Sequence, residues 1–261
     1  MSLRTVGAID LWVEEGGQTD GPTILLMHGL SGTGEIWGGL RDILDRKWPG
    51  RWIVPDMRGH GRSDHATTYG IATHAADMAA LVSDSNDLYL AGHSMGGLVG
   101  ILLASGWFGV HPKAVVTAGV KVGWTADEHA GIAKLIDMPV RWFDSEAEAR
   151  ERFVLVTGLK GIADPASAFA RTGIVEEDGK WRLAADNRAA AVAYADTPDI
   201  FRAARAPVVL AAGEHDRMVS ADDLRTLDND ARQLAGLGHN AHVESPDSFW
   251  EMIAEATGVT P

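Results

Sequence analysis

The chain has 261 residues and a formal net charge of −13, a length that allows one large α/β domain or two small ones. Its negative charge argues against nucleic acid or an anionic membrane as a partner, because both attract cationic surfaces. With no cysteine, the chain cannot form disulfides, thiolate metal sites or a cysteine nucleophile. The N-terminal residues lack the apolar run of a signal peptide, and no segment is long and apolar enough to span a bilayer. We therefore expect a cytoplasmic protein.

The first part of the chain alternates patterns of strand and helix. Two short segments of alternating hydrophobicity predict an opening antiparallel hairpin, and continuous apolar runs predict strands buried on both faces of a parallel sheet. Apolar residues three or four positions apart predict helices, one of which is expected to begin at Thr73 with that residue as its cap. In chain order, the predicted segments are the hairpin strands 3–6 and 9–13, the strand 23–27, the helix 36–44, the strand 51–55 and the helix 73–82.

The most informative motif lies between residues 87 and 104. A strand-length apolar run, Leu88–Ala91, is followed by Gly92-His-Ser-Met-Gly96 and then by an aliphatic segment that predicts a buried helix. A Gly-x-Ser-x-Gly turn between strand and helix holds the serine in a strained conformation, with its hydroxyl projecting above the sheet. A Cβ atom at either glycine would collide with neighbouring backbone. The helix begins directly behind Ser94, so its free N–H groups would face an anion formed there.

The pattern changes after the predicted strand 114–118. Between residues 121 and 204 no buried-strand run occurs, and charged, alanine-rich, helix-favouring segments recur. This interruption predicts a helical cap that is inserted into a continuing fold rather than an independent domain. Within it, helices are predicted at 126–136, 145–157, 165–171 and 188–195, with a loop or short hairpin at 173–183.

The strand pattern returns at 207–212 and, less clearly, near 231–234. A last helix follows, with Ser245 as its N-cap and Pro246 at its first position. Strands that alternate with helices predict a doubly wound parallel sheet. The predicted division of the chain is an α/β core formed by residues 1–120 and 205–261, and a cap formed by residues 121–204.

A serine nucleophile needs a base, and a histidine held by a carboxylate supplies one near neutral pH. Catalytic groups of open α/β sheets lie just beyond the carboxyl ends of the strands. The favoured base is His239, in a glycine-rich loop between the last strand and the last helix, and His242 is the rival. His93 adjoins Ser94 and is expected to point away from it. The histidines that follow strand runs are His28, His60, His93, His215 and His239, of which the first two are expected to bond backbone groups in glycine loops.

The orienting carboxylate is expected in the loop that follows strand 207–212. Asp216 is the favoured residue there, and Glu214 is the alternative. The loop after strand 114–118 holds Gly119-Val-Lys121 and no carboxylate, which favours Asp216 further.

The oxyanion of a tetrahedral intermediate needs two N–H donors at fixed positions. The backbone N–H groups of Met95, at the start of the elbow helix, and of Leu30, in the loop after strand 23–27, are the candidates. No clustered pattern of His, Asp and Glu marks a metal site, and none is expected.

Together these segments resemble the α/β-hydrolase superfamily. The order of serine, aspartate and histidine along the chain is also that of the superfamily. The resemblance implies an eight-stranded, mostly parallel sheet with a helical cap after the sixth strand, and the roles of nucleophile for Ser94, acid for Asp216 and base for His239. Relatives that act as haloalkane dehalogenases or epoxide hydrolases carry Asp at the nucleophile position, so both activities are disfavoured. The resemblance is carried by His28-Gly29, Asp56-Met-Arg-Gly-His-Gly-Arg-Ser63, Gly92-His-Ser-Met-Gly-Gly97, the Asp216 loop, and Gly238-His239 followed by Glu244-Ser-Pro246.

The resemblance leaves the substrate open, because the superfamily includes esterases, lactonases, thioesterases, C–C bond hydrolases and perhydrolases. The favoured function is a cofactor-free serine hydrolase that cleaves a small or medium, mostly apolar ester or lactone through an acyl-enzyme on Ser94. The alternatives are hydrolysis of an activated C–C bond and a non-catalytic small-molecule receptor on the same scaffold. A monomer or homodimer is expected. The candidate substrate-binding residues are Ser31, Trp124, Trp142 and Phe143.

Overall fold

A computed structural model describes residues 1–85 and 87–260. Its strands are β1 (Ser2–Val6), β2 (Ile9–Gly17), β3 (Thr23–Met27), β4 (Arg51–Pro55), β5 (Leu88–His93), β6 (Ala114–Ala118), β7 (Ile174–Glu177), β8 (Lys180–Leu183), β9 (Val208–Gly213) and β10 (Arg232–Leu234). Eight of them form one sheet in the order β1-β2-β4-β3-β5-β6-β9-β10. β2 pairs antiparallel with β1 and with β4, and all other neighbours in this sheet are parallel. The predicted eight-stranded, mostly parallel sheet is confirmed.

Helices connect the strands and cover the sheet. The α-helices are α1 (Gly38–Lys47), α2 (Ile71–Leu81), α3 (Met95–Leu103), α4 (Ala126–Ile136), α5 (Glu146–Val156), α6 (Ala168–Thr172), α7 (Thr197–Ala203), α8 (Ala221–Arg225), α9 (Ala241–Glu244) and α10 (Pro246–Thr257), and 3-10 helices span Gly34–Trp37 and Asn187–Tyr194. α10 begins as predicted, with Ser245 as its N-cap and Pro246 in its first turn. None of the helices in residues 1–85 and 87–260 is long and apolar enough to cross a bilayer. The cytoplasmic location and the oligomeric state stay predictions.

The predicted start of α2 is wrong. The helix begins at Ile71 with Gly70 as its N-cap, and Thr73 lies inside its first turn. The Thr73 hydroxyl donates back to the Gly70 carbonyl oxygen over 2.7 Å instead of accepting from the helix. Ile71 packs against the buried cluster on this face of the sheet, and that tertiary contact extends the helix beyond the residue with the best capping side chain.

The predicted helix at 188–195 is a 3-10 helix, and its turns close between residues three apart, as from the Ala195 N–H to the Val192 carbonyl oxygen over 3.1 Å. α6 begins later than predicted because Ser167 caps it, with its Oγ accepting from the Ala170 N–H.

Alternate side chains of the central strands pack two different layers of helices. In β3, Ile24 and Leu26 lie in one buried cluster with residues of α1 and α10, while Leu25 and Met27 lie in another with residues of α2 and α3. Every residue of β3 is buried, as in a strand that is covered on both faces of a parallel sheet. The apolar run therefore specifies the centre of the fold.

The segment between β6 and β9 forms an insertion above the sheet. β6 and β9 are direct neighbours, so the chain leaves the sheet and returns beside its point of departure. Within the insertion, α4 packs against the 3-10 helix Asn187–Tyr194, α5 packs against the β7–β8 hairpin, and α7 packs against α3. The hairpin turns at Asp178-Gly179, whose φ angles of 50° and 76° are those favoured in two-residue hairpin loops. The limits 121–204 of the cap stay a prediction.

The turn from β5 to α3 brings three backbone segments into direct contact. A Cβ atom on Gly92 would lie 2.5 Å from the backbone carbonyl of Gly96, and one on Gly96 would lie 2.2 Å from the carbonyl oxygen of Met27. Backbone atoms cannot rotate away as a side chain can, so both positions require glycine. The end of β3, the turn and the start of α3 therefore form one tightly packed unit.

Replacing Gly96 by alanine should lower the free energy of unfolding by about 3 kcal/mol, because the added methyl group overlaps backbone that cannot yield. Gly131 is the matched control: it lies exposed in α4, and a Cβ atom there would have nothing within 4 Å of it. Gly131→Ala should raise stability by about 0.5–1 kcal/mol through helix propensity and a less flexible unfolded chain. Urea unfolding of both variants measures these changes, and equal stabilities would contradict the packing argument.

Candidate active site

Ser94 is held in a strained conformation between β5 and α3. Its φ of 50° and ψ of −116° are rarely adopted by residues other than glycine. The Ser94 N–H donates to the carbonyl oxygen of Ala118 over 2.9 Å, and its own carbonyl accepts from the Leu98 N–H over 3.1 Å. Hydrogen bonds from β6 and α3 thus fix the backbone on both sides of the residue, and Ser94 lines a large cavity.

His239 lines the same cavity and is hydrogen-bonded to Asp216 behind it. The Nδ1–H of His239 donates to Oδ2 of Asp216 over 2.8 Å, and the Asp216 side chain is fully buried while that of His239 keeps 23% of its exposure. Oδ1 of Asp216 accepts from the N–H groups of Met218 and Val219 over 2.7 and 3.3 Å. Because the proton is on Nδ1, Nε2 is left free to accept one.

Close contacts between two loops set the spacing of this pair. Gly213, at the end of β9, approaches the loop of His239 so closely that a Cβ atom would lie 2.2 Å from the carbonyl oxygen of Gly238. Gly119, at the end of β6, has a φ of 73°, and a Cβ atom there would lie 3.0 Å from Cε1 of His239. The missing carboxylate after β6 is thus replaced by a residue that leaves room for the imidazole.

The alternative acid and base belong to other contacts. Glu214 is exposed and accepts from the Gly236 N–H over 2.8 Å. His242 is buried, and within the described residues neither of its ring nitrogens has a hydrogen-bond partner. Its ring packs 4.4 Å from Trp37 and 4.3 Å from His93, measured between centroids. The geometry therefore favours Asp216 and His239 over these two residues.

Two backbone N–H groups at the cavity are free to bind an oxygen. Leu30 and Met95 both line the cavity, and across residues 1–85 and 87–260 neither N–H donates a hydrogen bond. Met95 is the first residue of α3. Leu30 lies in a turn closed by the Gly32 N–H and the Gly29 carbonyl oxygen over 3.1 Å, in which Ser31 has a φ of 64°. Free donors at a helix start and a tight turn are the kind of group that binds an oxyanion.

His93 connects the loops on either side of Ser94, a role that was not predicted from the sequence. Its Nε2–H donates to the backbone carbonyl oxygen of His239 over 2.9 Å. A Cβ atom on Gly29 would lie 2.7 Å from Nδ1 of His93, so the imidazole also packs against the loop of Leu30. Burial lowers the pKa of His93 well below its usual value, which keeps the ring neutral and suited to this bond. The sequence feature that could have indicated this role is the position of His93 directly before Ser94 in the motif.

A second group of buried histidines lies under the same loop. As predicted, His28 and His60 bond backbone groups: their Nδ1–H groups donate to the carbonyl oxygens of Gly29 and Arg58 over 2.8 and 2.9 Å. The ring of His60 lies 5.0 Å from that of His28 and 6.3 Å from that of His74. Burial lowers the pKa of His60 to about 3. These rings act as neutral core side chains.

Asp56 and Arg58 anchor the loops around this group. Asp56 accepts from the Gly34 N–H over 2.6 Å and pairs with Arg62 over 2.7 Å. Arg58 pairs with Asp77 over 2.5 Å.

The cavity that joins these groups has a volume of about 1080 Å³. All four candidate substrate-binding residues line it, namely Ser31, Trp124, Trp142 and Phe143. Its volume lies slightly above the usual range for ligand sites and is more than a small ester needs. Five cationic residues of its wall were not predicted from the sequence, because they lie on separate loops, a strand and helices, and only the fold brings them to one cavity. In the described part of the chain, no group of three or more His, Asp or Glu side chains is placed to hold a metal ion.

Comparison with known proteins agrees with the fold. A family model described as "Alpha/beta hydrolase family" matches residues 24–252. The chain is 29% identical to a magnesium-chelatase 30 kDa subunit of Rhodobacter capsulatus, over 97% of this chain and 92% of that protein. It is 26% identical to the sn-1-specific diacylglycerol lipase ABHD11 of Mus musculus, over 89% of this chain and 80% of the lipase. The solved structure of a thioesterase domain from the curacin biosynthetic pathway superposes with a TM-score of 0.80 at 18% identity, covering 97% of this chain and 98% of that domain.

The buried histidines predict a loss of stability in mild acid. Burial lowers the pKa of His60 and of His242 from 6.5 to about 3. Between pH 6.5 and pH 3 these two histidines are protonated in the unfolded chain and neutral in the folded chain. The free energy of unfolding therefore decreases as the pH falls from 6.5 towards 3. The expected loss is about 2 kcal/mol for each of the two histidines at pH 5.

Urea unfolding at pH 7.5 and pH 5 measures this loss. His242→Gln should flatten the dependence of the unfolding free energy on pH, whereas the same substitution at the exposed His111 should leave it unchanged. Identical pH dependence in both variants would refute the assignment.

Proposed function

The chain belongs to the alpha/beta hydrolase family, and on that premise we propose that it is a serine hydrolase that cleaves a carboxylic ester or lactone through an acyl-enzyme on Ser94. The observation that carries the proposal is the hydrogen bond between His239 and the buried Asp216 at the cavity lined by Ser94. A strained serine that shares a cavity with an oriented histidine is the arrangement used in nucleophilic catalysis.

In the proposed mechanism, Nε2 of His239 removes the hydroxyl proton as Oγ of Ser94 attacks the carbonyl carbon. The negative charge that develops on the carbonyl oxygen is received by the N–H groups of Leu30 and Met95. His239 then gives the proton to the leaving alcohol oxygen as the C–O bond breaks. A water molecule, deprotonated by the same imidazole, cleaves the acyl-enzyme and regenerates Ser94.

Asp216 has the role of holding the imidazole and stabilising its protonated form. Its carboxylate accepts two backbone N–H groups as well as His239, so it has no freedom to turn away from the ring. His93 is proposed as a positioning residue, since its bond to the His239 carbonyl oxygen ties the base to the end of β5.

An ester is the favoured bond because the mouse relative is named a diacylglycerol lipase, and lipases cleave carboxylic esters. Hydrolysis of an activated C–C bond would use the same serine and histidine on a different carbonyl compound. A receptor on this scaffold would bind its ligand without turning it over. Substrate panels separate the three.

Ser94→Ala should reduce the hydrolysis of p-nitrophenyl esters, lactones or thioesters by at least about 10³-fold with the fold intact. A fluorophosphonate probe should label the wild-type protein at Ser94 and leave the variant unlabelled. Ser83→Ala, at an exposed serine whose hydroxyl bonds the Ala80 carbonyl oxygen, is the control and should retain full activity. Unchanged ester hydrolysis in Ser94→Ala would defeat the proposal. Turnover of diketones alone would support the C–C alternative, and binding without turnover would support the receptor.

Asp216→Asn should lower kcat by about 10³- to 10⁴-fold, because the amide can no longer hold the imidazole in the tautomer that leaves Nε2 free. Glu214→Gln removes the same charge from the same loop without touching His239, so its kcat should stay near that of the wild type. Steady-state kinetics of the two variants on one ester makes the comparison. A loss in Glu214→Gln as large as that in Asp216→Asn would contradict the assigned acid.

A further inference from the structure

We propose that the substrate is an amphiphile with an oxyanion group, either a carboxylate or a phosphate, that Arg141 and Arg152 bind in the cavity of Ser94. The inference rests on the proposed function and extends it to the class of substrate. It departs from the mostly apolar, small or medium ester expected from the sequence.

The first observation is the sign of the charge around the cavity. The whole chain carries a net charge of −13, yet cationic residues outnumber acidic ones on the cavity wall. A positive cavity in an acidic protein concentrates anions and excludes other cations, because its walls focus the local field. The cationic lining residues are Lys121, Arg141, Arg152, Arg182 and Arg188, and the acidic ones are Glu177 and Asp186.

Three of these cations are already neutralised by carboxylates. Lys121 pairs with Glu128 over 2.7 Å, and Arg188 pairs with Asp186 over 2.6 Å. Arg182 pairs with Glu177. Because these three cations form ion pairs within the protein, they are not available to bind an anionic ligand.

Arg141 and Arg152 differ from these three. In residues 1–85 and 87–260, neither guanidinium has a carboxylate within 4.0 Å. Glu148 lies one turn before Arg152 on α5 and Glu151 lies beside it in sequence, but neither forms an ion pair with it. The wall of the cavity therefore carries two guanidinium groups that form no ion pair with a described side chain, and Glu148 and Glu151 line a neighbouring cavity that the two arginines also border.

The surroundings of the two arginines also favour binding. The guanidinium carbon of Arg141, an exposed residue, lies 4.9 Å from the ring centroid of Phe143, a cation–π contact that limits the freedom of the side chain. Arg152 is half-buried on α5, so its charge is partly shielded from water. A planar guanidinium offers paired N–H donors that match two oxygens of a carboxylate or a phosphate, and partial desolvation strengthens such a bond.

Part of the remaining wall consists of exposed apolar side chains. Large apolar side chains that stay in contact with water, on a protein with a well-packed core, mark a surface that is covered when a ligand binds. With a volume of about 1080 Å³, the cavity accepts an extended apolar body together with the ester and the anionic group. The exposed apolar lining residues are Met138, Val140, Trp142 and Leu155, which are 52, 56, 44 and 49% exposed.

The test compares two series of p-nitrophenyl esters with acyl chains of roughly four to twelve carbons, one ending in a methyl group and the other in a carboxylate. For one range of chain length, kcat/KM should be at least about 10-fold higher for the carboxylate ester than for its methyl partner. Arg141→Gln and Arg152→Gln should each lower this ratio by about 10-fold. About 0.5 M salt should lower it as well, because exposed charges are then screened.

Arg46→Gln is the matched control. Arg46 is an exposed arginine of α1 that does not line the cavity, so its removal changes the net charge equally and should leave the ratio unchanged. Thermal unfolding of each variant checks that the fold is retained. Equal ratios in the wild type and both cavity variants would overturn the inference.

Calorimetric titration with octanoate, octyl phosphate and octanol provides a readout that does not depend on turnover. Both anions should bind more tightly than the alcohol, and the difference between them shows which of the two anionic groups the site prefers. Arg141→Gln and Arg152→Gln should weaken the anions by about 10-fold relative to octanol. Hydrolysis of neither ester series by a protein that still prefers the anions would count against the proposed function alone. Equal binding of all three ligands would count against the anion site alone.

Discussion

The structure depends on the close backbone contact at the turn between β5 and α3. Gly96 lies so near the end of β3 that no side chain fits between them, and Gly92 lies equally near the turn itself. This contact bends the chain from strand to helix within a few residues, and it leaves Ser94 with a backbone conformation that only surrounding structure can maintain. This close contact between Gly96 and the end of β3 positions Ser94, the start of α3 and the loop of Leu30. The same backbone contact therefore determines both the packing of the core and the geometry of the site.

The parts of the site that follow from local sequence could be predicted, and those set by tertiary contacts could not. Ser94 stands out because strand, glycines and helix surround it in order. Asp216 and His239 stand out because each follows a strand, but the sequence alone cannot separate them from Glu214 and His242. The separation comes from Gly213 and Gly119, which bring two loops together so that only one acid meets one base. The start of α2 was mispredicted for the same reason, since a core contact outweighs the capping preference of a threonine.

The charged residues of the cavity wall could not be predicted from the sequence for a different reason. The charged residues of the cap lie on several different elements, and nothing in their order indicates that Arg141 and Arg152 form no ion pair while Arg182 and Arg188 do. Only the three-dimensional pairing distinguishes a structural cation from an available one. The buried histidines likewise show a role that the sequence does not reveal. His60 and His242 follow or approach predicted strand ends, yet they are buried core side chains, and this burial lowers their pKa values and keeps them neutral.

The direct pairing of β6 with β9 has a consequence for how proteins of this architecture diversify. The segment between these strands leaves the sheet at the end of β6 and returns in the adjacent strand, β9. It can therefore be lengthened like a surface loop without changing the order of the strands. The entropy of closing such a loop rises only slowly with its length, and the register of the sheet is indifferent to what the loop contains. Ser94, Asp216 and His239 all lie outside this segment, whereas Arg141, Arg152 and Trp142 lie within it. A lineage can thus exchange most of the cavity wall by insertion, deletion or recombination at two adjacent points and keep Ser94, Asp216 and His239 unchanged.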